Sequence, residues 1–196
     1  MQINIILAGV GGQGILTIAA VIDLAALNSG LTVRQAEVHG MSQRGGAVQS
    51  HLRISDREIY SDLIAEGTAN LILSVEPLEA LRYLPFLASD GKVVTSTDPF
   101  INMEGYPAME AIQSELHRTN NPVLVNAAEL AREAGNARTS NMVMLGAAAP
   151  FTAIAPEKLE SAIEELFGKK GPDIVAMNIR AFRIGQELSQ PQATAS

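Results

Sequence analysis

Gly9, Gly11 and Gly14 stand in the spacing G-x-G-x-x-G, directly behind the aliphatic run Ile3–Ala8 and ahead of a stretch with helical periodicity. A glycine turn in that position brings a phosphate against free backbone N–H groups and the positive end of a helix. Gly12 and Gln13 complete the turn, Gln13 adding an amide without charge. The same glycines also suit a tight turn that lets helix and strand pack closely, and spacing leaves both roles open. Glu37 follows 23 residues beyond Gly14, where a dinucleotide-binding fold carries the acid that holds a ribose. It runs straight into a second glycine-bearing loop, which weakens an NAD assignment.

In that loop, Arg44 sits between Gln43 and the pair Gly45-Gly46. Its guanidinium can clamp a phosphate or carboxylate where the open backbone comes close, or serve an ion pair to another subunit. His39 follows Glu37 by two residues, so the acid can orient the imidazole if the strand runs that far; a plain structural hydrogen bond is the alternative. Gln49, His51 and Arg53 would share one face of the next strand, lining a cleft or facing solvent or an interface. Met41, Met142 and Met144 suit either an adaptable contact surface or an aliphatic core. With three histidines in the chain, no Ser, His and acid set falls at a recognisable spacing, and no metal-ligand pattern is present. No residue is nominated as catalytic.

Composition narrows the field further. The chain has no Cys, hence no disulfide, no thiolate nucleophile and no ligands for an iron–sulfur cluster. A formal charge of −7 disfavours a nucleic-acid partner, whose affinity comes from clustered Lys and Arg. Neither a basic leader nor an apolar run long enough for a membrane span opens the sequence, and a cytoplasmic protein is expected.

The elements that must position these residues follow from periodicity. Ile3–Ala8 reads as a strand buried on both faces, Gln13–Asn28 as a helix stopped by Gly30, and Leu31–Val38 as a second strand, a βαβ opening of right-handed crossover. Val48, Ser50, Leu52 and Ile54 alternate with Gln49, His51 and Arg53, predicting a strand over Ala47–Ile54 with one wetter face. Ser55 and Asp56 would turn it into a hairpin with Glu58–Tyr60. Leu71–Val75, Lys92–Thr95 and Val123–Val125 are further strands, separated by helical stretches at Pro77–Phe86 and Pro107–His117. Helices follow over Ala127–Ala134, Asn141–Ala149, Pro156–Phe167 and Pro172–Leu188, the last two with Pro in the first turn. The expected fold is a single doubly wound, Rossmann-like α/β domain over 1–189, its sheet mostly parallel with a hairpin insertion and its C-terminal part helical. Residues 190–196 read as a frayed tail.

Gly9-Val10-Gly11-Gly12-Gln13-Gly14, taken with Glu37-Val38-His39-Gly40-Met41-Ser42-Gln43-Arg44-Gly45-Gly46, resembles the paired signatures of the gamma domain of pyruvate and 2-ketoacid ferredoxin oxidoreductases. The second block is the specific one and looks most like the indolepyruvate branch. Asn141-Met142-Val143-Met144-Leu145-Gly146 resembles a helix opening late in that domain, so the likeness spans nearly the whole chain. The resemblance implies an accessory subunit in a hetero-oligomer. A larger partner would carry thiamine diphosphate, magnesium and 4Fe-4S clusters, decarboxylate a 2-oxoacid such as an arylpyruvate, pass electrons to ferredoxin and release an acyl-CoA. Coenzyme A or its pyrophosphate is expected to touch the Gly9–Gly14 turn and Arg44, the cofactor-binding set being Gly9, Gly11, Gly12, Gln13, Gly14, Glu37, His39, Arg44, Gly45 and Gly46. Asp90-Gly91 and Asn120-Asn121 give only the outline of a thiamine diphosphate motif: Ser89 replaces its leading Gly, and the Asp-Gly pair is expected ahead of its strand. Homodimerisation of the isolated chain stays open. So do two other readings, a stand-alone NAD(P)-dependent oxidoreductase and a regulatory module with a vestigial nucleotide fold.

Overall fold

The computed structural model describes residues 1–39, 45–102 and 104–189. Six strands form one sheet: β1 (Gln2–Val10), β2 (Thr32–His39), β3 (Ala47–Ser55), β4 (Ala69–Ser74), β5 (Leu87–Ser96) and β6 (Val123–Val125), in the order β2-β3-β1-β4-β5-β6. β1, β4, β5 and β6 pair in parallel, whereas β3 runs antiparallel to both β1 and β2. The aliphatic run of β1 has the composition of a strand covered on both faces, and every residue from Asn4 to Val10 is buried.

Two expectations about this half of the sheet are corrected. β2 has the same direction as β1 but does not pair with it, because β3 lies between them. The hairpin joins β3 to β2 rather than to Glu58–Tyr60. A strand has two hydrogen-bonding edges, and both edges of β3 are occupied over its length. The chain after Ser55 therefore crosses the sheet face as an irregular loop, with Tyr60 projecting into solvent.

Helices cover the sheet on both sides. On one face lie α1 (Ile15–Leu27), α4 (Ala127–Glu133), α5 (Ser140–Ala148), α6 (Pro156–Phe167) and α7 (Pro172–Glu187), all contributing to the larger apolar core. On the other lie α2 (Pro77–Arg82) and α3 (Met109–Leu116), in a smaller core around Ile6, Ile72 and Val93. At the end of α1, Gly30 takes a φ of 75° and Leu31 N–H returns to the Ala26 carbonyl at 3.1 Å, closing the helix as its sequence anticipates.

At the centre of the helical layer, α5 is buried from Asn141 to Ala148. It crosses α7 with backbones in contact: a methyl at Gly146 would meet the Phe182 carbonyl oxygen at 1.9 Å, and one at Gly185 the Val143 carbonyl oxygen at 1.9 Å. Met142 and Met144 are core residues, not a contact surface. Asp90-Gly91 lies inside β5 rather than ahead of it. Gly91 leaves room for the Ala69 carbonyl, 2.7 Å from where a methyl would sit, at a register shift between β4 and β5. The pair serves the sheet and is not a phosphate–metal loop.

Candidate functional site

The glycine turn sits where β1 and β4 lie side by side and send their helices to opposite faces, α1 to one and α2 to the other. In an open α/β sheet that divergence opens a crevice beyond the carboxyl ends of the strands. Gly9 is a packing position: a methyl there would lie 2.4 Å from Val75 Cγ2 and 2.7 Å from Ile15 Cδ1. Gln13 folds back over the turn, its Oε1 accepting from Val10 N–H at 2.8 Å. Gly14 takes the left-handed conformation (φ 82°, ψ 23°) as the N-cap of α1 and offers no side-chain cap. Gly12, with φ 100° and nothing within 4 Å of its missing methyl, faces open space.

Two clefts share this turn as a wall. The smaller, about 340 Å³, is lined by Gly11, Gly12 and Gly14 together with Ile15, Leu16, Val48 and Glu37. The larger, about 800 Å³, is lined by Gly12, Gln13, Gly14 and Thr17, by Asp98 and Phe100, and by the stretch Asn136–Asn141, with Lys170 across from them. Both fall in the size range of cofactor pockets, about 300–1,000 Å³.

Electrostatically the larger cleft suits an anion. The first turn of α1 opens onto it with no side-chain cap, so its first N–H groups are available to a negative ligand, whereas α5 continues directly from the 3₁₀ turn Ala137–Thr139 and its Met142 N–H is taken by Asn141. Arg138 and Lys170 add two cations, and neither is ion-paired among the described residues. In a chain of formal charge −7 this is a local basic spot. Asn141 joins the two ends of the sequence here: its Nδ2 donates to the Gly14 carbonyl at 3.3 Å while its Oδ1 accepts from Met142 N–H at 3.0 Å.

The second glycine block meets the first. Gly11 N–H donates to the Gly46 carbonyl at 2.8 Å, and Gly45 N–H returns to the Gly11 carbonyl at 3.4 Å. Glu37 comes to the same place from β2. The strand runs on through His39, opposite Val48. Gly40, Met41, Ser42, Gln43 and Arg44 lie outside the described residues.

The face carrying Gln49, His51 and Arg53 lines neither cleft and is covered in part, with Gln49 and Arg53 half-buried. His51 is buried, its Nδ1 accepts from Ile64 N–H at 3.0 Å, and its ring stands edge-on to Phe86. Burial pushes its imidazole below the usual histidine range. Arg53 donates to Asn4 Oδ1 at 3.1 Å and to the carbonyls of Ser61 and Leu63 at 2.7 and 3.2 Å. These polar side chains satisfy the irregular loop that covers them.

Several residues at the site escaped the motif reading. Asp98 Oδ2 accepts from Ser96 Oγ and from Ala128 N–H, both at 2.8 Å, and so orders the rim of the larger cleft. Arg138 belongs to the polar stretch Asn136–Asn141 that leads into α5, where Asn136 Oδ1 accepts from Arg138 N–H at 2.9 Å, and side chains capping N–H groups in this way could have marked the site. Glu76, just past β4, is almost wholly buried at 1% exposure. The Tyr106 hydroxyl donates to it, and burial first, then that bond and the neighbouring charge, raise the phenol well above its ordinary range. An acid followed by Pro77 at a strand end was its sequence signal.

Residues 4–188 match the family model described as pyruvate ferredoxin/flavodoxin oxidoreductase. The chain is 39% identical over 194 residues to the indolepyruvate oxidoreductase subunit IorB of Archaeoglobus fulgidus, covering 94% of each. Among solved structures it resembles the gamma subunit of a keto/oxoacid ferredoxin oxidoreductase from Geobacter sulfurreducens, with a TM-score of 0.71 at 23% identity, covering 96% of this chain and 97% of that one. It also resembles part of the 2-oxoglutarate:ferredoxin oxidoreductase of Magnetococcus marinus, solved with 2-oxoglutarate, coenzyme A and succinyl-CoA bound, with a TM-score of 0.75 at 23% identity; 96% of this chain spans 31% of that longer one.

Proposed function

The chain belongs to the pyruvate ferredoxin/flavodoxin oxidoreductase family, and from that premise we propose that it is the small subunit of an indolepyruvate-type 2-oxoacid:ferredoxin oxidoreductase, with its glycine turn seating the phosphates of coenzyme A. The carrying observation is the turn itself: open at Gly12, at the mouth of an uncapped α1, and shared by two clefts at the divergence of the sheet.

The residues fit coenzyme A and do not fit the redox groups. N–H groups at the start of α1, with Arg138 and Lys170, would meet the phosphates. Glu37 and the apolar wall of Val10, Ile15, Leu16 and Val48 would bound the smaller cleft. Arg44, next to Gly45 in sequence, is proposed as a further phosphate clamp, and His39 as its neighbour on the β2 side. Coenzyme A, when bound, supplies the thiol that takes the acyl group. This chain's part is to hold and orient it and to keep the larger cleft's charge positive. An iron–sulfur cluster cannot be held without cysteine, and Asp90-Gly91 is committed to β5. Oxidative decarboxylation of an arylpyruvate and electron delivery to ferredoxin therefore belong to a larger partner chain carrying thiamine diphosphate and clusters. The NAD reading loses the usual strand order, since β3 is inserted between β1 and β2, although Glu37 still lines the smaller cleft beside the glycine turn.

Gly12→Ala in the assembled complex provides the test. A methyl at φ 100° is strained and projects toward the cleft, so the KM for coenzyme A should rise about tenfold, equivalent to roughly 1.4 kcal/mol, with assembly intact. An unchanged KM would refute the seat. A saturable NADH titration of the isolated chain, with hydride transfer, would replace this reading by the oxidoreductase alternative.

A further inference from the structure

Glu76 begins α2, and its Oε2 accepts from Glu79 N–H at 2.8 Å as an ordinary N-cap. Capping alone does not account for it. A Ser or Asp performs that task with a short arm, whereas this longer carboxylate is sunk to 1% exposure, a costly place for a charge unless several donors converge on it. The second oxygen supplies the explanation. Glu76 Oε1 accepts from Phe100 N–H at 3.3 Å and from the Tyr106 hydroxyl, two groups in the connection between β5 and α3.

That connection borders the larger cleft. It leaves β5 fastened at Thr97, whose N–H reaches the Val125 carbonyl at 2.8 Å, and at Asp98. Phe100 then lines the cleft, 40% exposed. Asn102 Nδ2 donates to the Gly45 carbonyl, and Gly45 is bonded to Gly11 of the first glycine turn. On its other side, Glu76 adjoins Val75, which also lines the cleft and whose N–H bonds to the Ala8 carbonyl at 3.0 Å. One buried carboxylate thus connects the end of β4, the Phe100 rim and, through Asn102, both glycine blocks.

We infer that Glu76 is a positioning residue for the ligand of this cleft, acting through Phe100, Tyr106 and Asn102 to hold the rim and the Gly45-Gly46 loop in register with the glycine turn. The inference deepens the coenzyme A reading and rests on it. Glu76 touches no reacting atom; it sets the walls between which the ligand is oriented.

Three variants in the assembled complex separate this role from capping. Tyr106→Phe and Asn102→Ala each remove one fastening of the rim and leave the α2 cap in place. Glu76→Gln keeps one oxygen for Glu79 N–H and can donate to the Tyr106 hydroxyl, but leaves Phe100 N–H without an acceptor. Tyr106→Phe and Asn102→Ala should each raise the KM for coenzyme A about fivefold, the worth of one hydrogen bond, with kcat nearly unchanged. Hydrogen exchange should quicken at Phe100 and at Gly45-Gly46. Glu76→Gln should raise that KM to a similar extent with the complex still assembled. Equal losses in kcat and KM accompanied by loss of assembly would reduce Glu76 to a stability residue and overturn the inference. Wild-type complex in which coenzyme A slows no exchange at Gly11–Gly14 overturns the ligand reading and this role with it. Protection seen in wild type and kept unaltered in Tyr106→Phe and Asn102→Ala overturns the role of Glu76 alone.

Discussion

Replacing Asp23 by asparagine should stabilise the protein at neutral pH. Asp23 lies on α1, and its Oδ1 is buried with no hydrogen-bond partner among the described residues. Burial raises its carboxyl from 3.8 to about 6. At 1.36 kcal/mol per tenfold change in proton affinity, full expression of that rise would be about 3 kcal/mol; partial solvent contact reduces it to about 1–2 kcal/mol. Between pH 4 and 6 the folded chain retains a proton on Asp23 that the unfolded chain has released, so unfolding sheds a proton and stability declines as pH rises through this window. Above it the decline is complete. The asparagine side chain has nearly the same shape and no charge to desolvate. Urea unfolding of the isolated chain should therefore show D23N more stable by about 1–2 kcal/mol at pH 7.5, with the difference closing toward pH 4. Equal stabilities at pH 7.5, or a gain of the same size at both ends, would refute the claim that an unpaired buried charge is the cause.

His51 works in the opposite sense. Its imidazole is held below its ordinary 6.5 by burial, so the unfolded state takes up the proton first and stability falls as pH drops below about 6.5; the decline should be steeper in D23N, where the opposing carboxyl is gone, and flatter in His51→Gln. A double-mutant cycle tests the meeting of the two ends of the chain. Gly14→Ala places a methyl 2.6 Å from Asn141 Nδ2 at a φ of 82° and should cost about 2 kcal/mol or more. Asn141→Ala should cost about 1 kcal/mol for its hydrogen bond. The double variant should cost less than the sum by about 1 kcal/mol, since the clash vanishes with the amide; strict additivity in chemical denaturation would show that the two residues do not touch.

What the sequence disclosed, and what it withheld, divides along the range of the interactions involved. The glycine turn, α1 and the Gly30 stop were legible because each depends on neighbours a few residues away: a left-handed N-cap at Gly14 and a left-handed stop at Gly30 are local demands that glycine alone meets cheaply. The proline-led starts of α6 and α7 fall where Pro156 and Pro172 placed them for the same reason. Strand order carries no comparable local mark. Nothing in Ala47–Ser55 announces that it inserts between β1 and β2, because pairing partners are chosen by the whole sheet.

The face of β3 shows how a sound pattern yields a wrong environment. Alternation of Gln49, His51 and Arg53 with aliphatic neighbours distinguishes two faces, and polar residues suggest water. An irregular loop, however, offers backbone N–H and C=O groups that need partners as much as water does, and here Ile64, Ser61 and Leu63 find them in His51 and Arg53. A polar strand face opposite a long connection is thus as consistent with a buried loop seat as with solvent. The same reasoning recovers Asn141: a polar residue opening a fully buried helix has to bond something, and its amide finds the Gly14 carbonyl, which already accepts from Thr17 and Ile18 N–H. The late Asn141–Gly146 block and the opening glycine block are therefore parts of one site, Asn141 holding the turn and Gly146 letting α7 lie close enough to keep α5, and with it Asn141, in place.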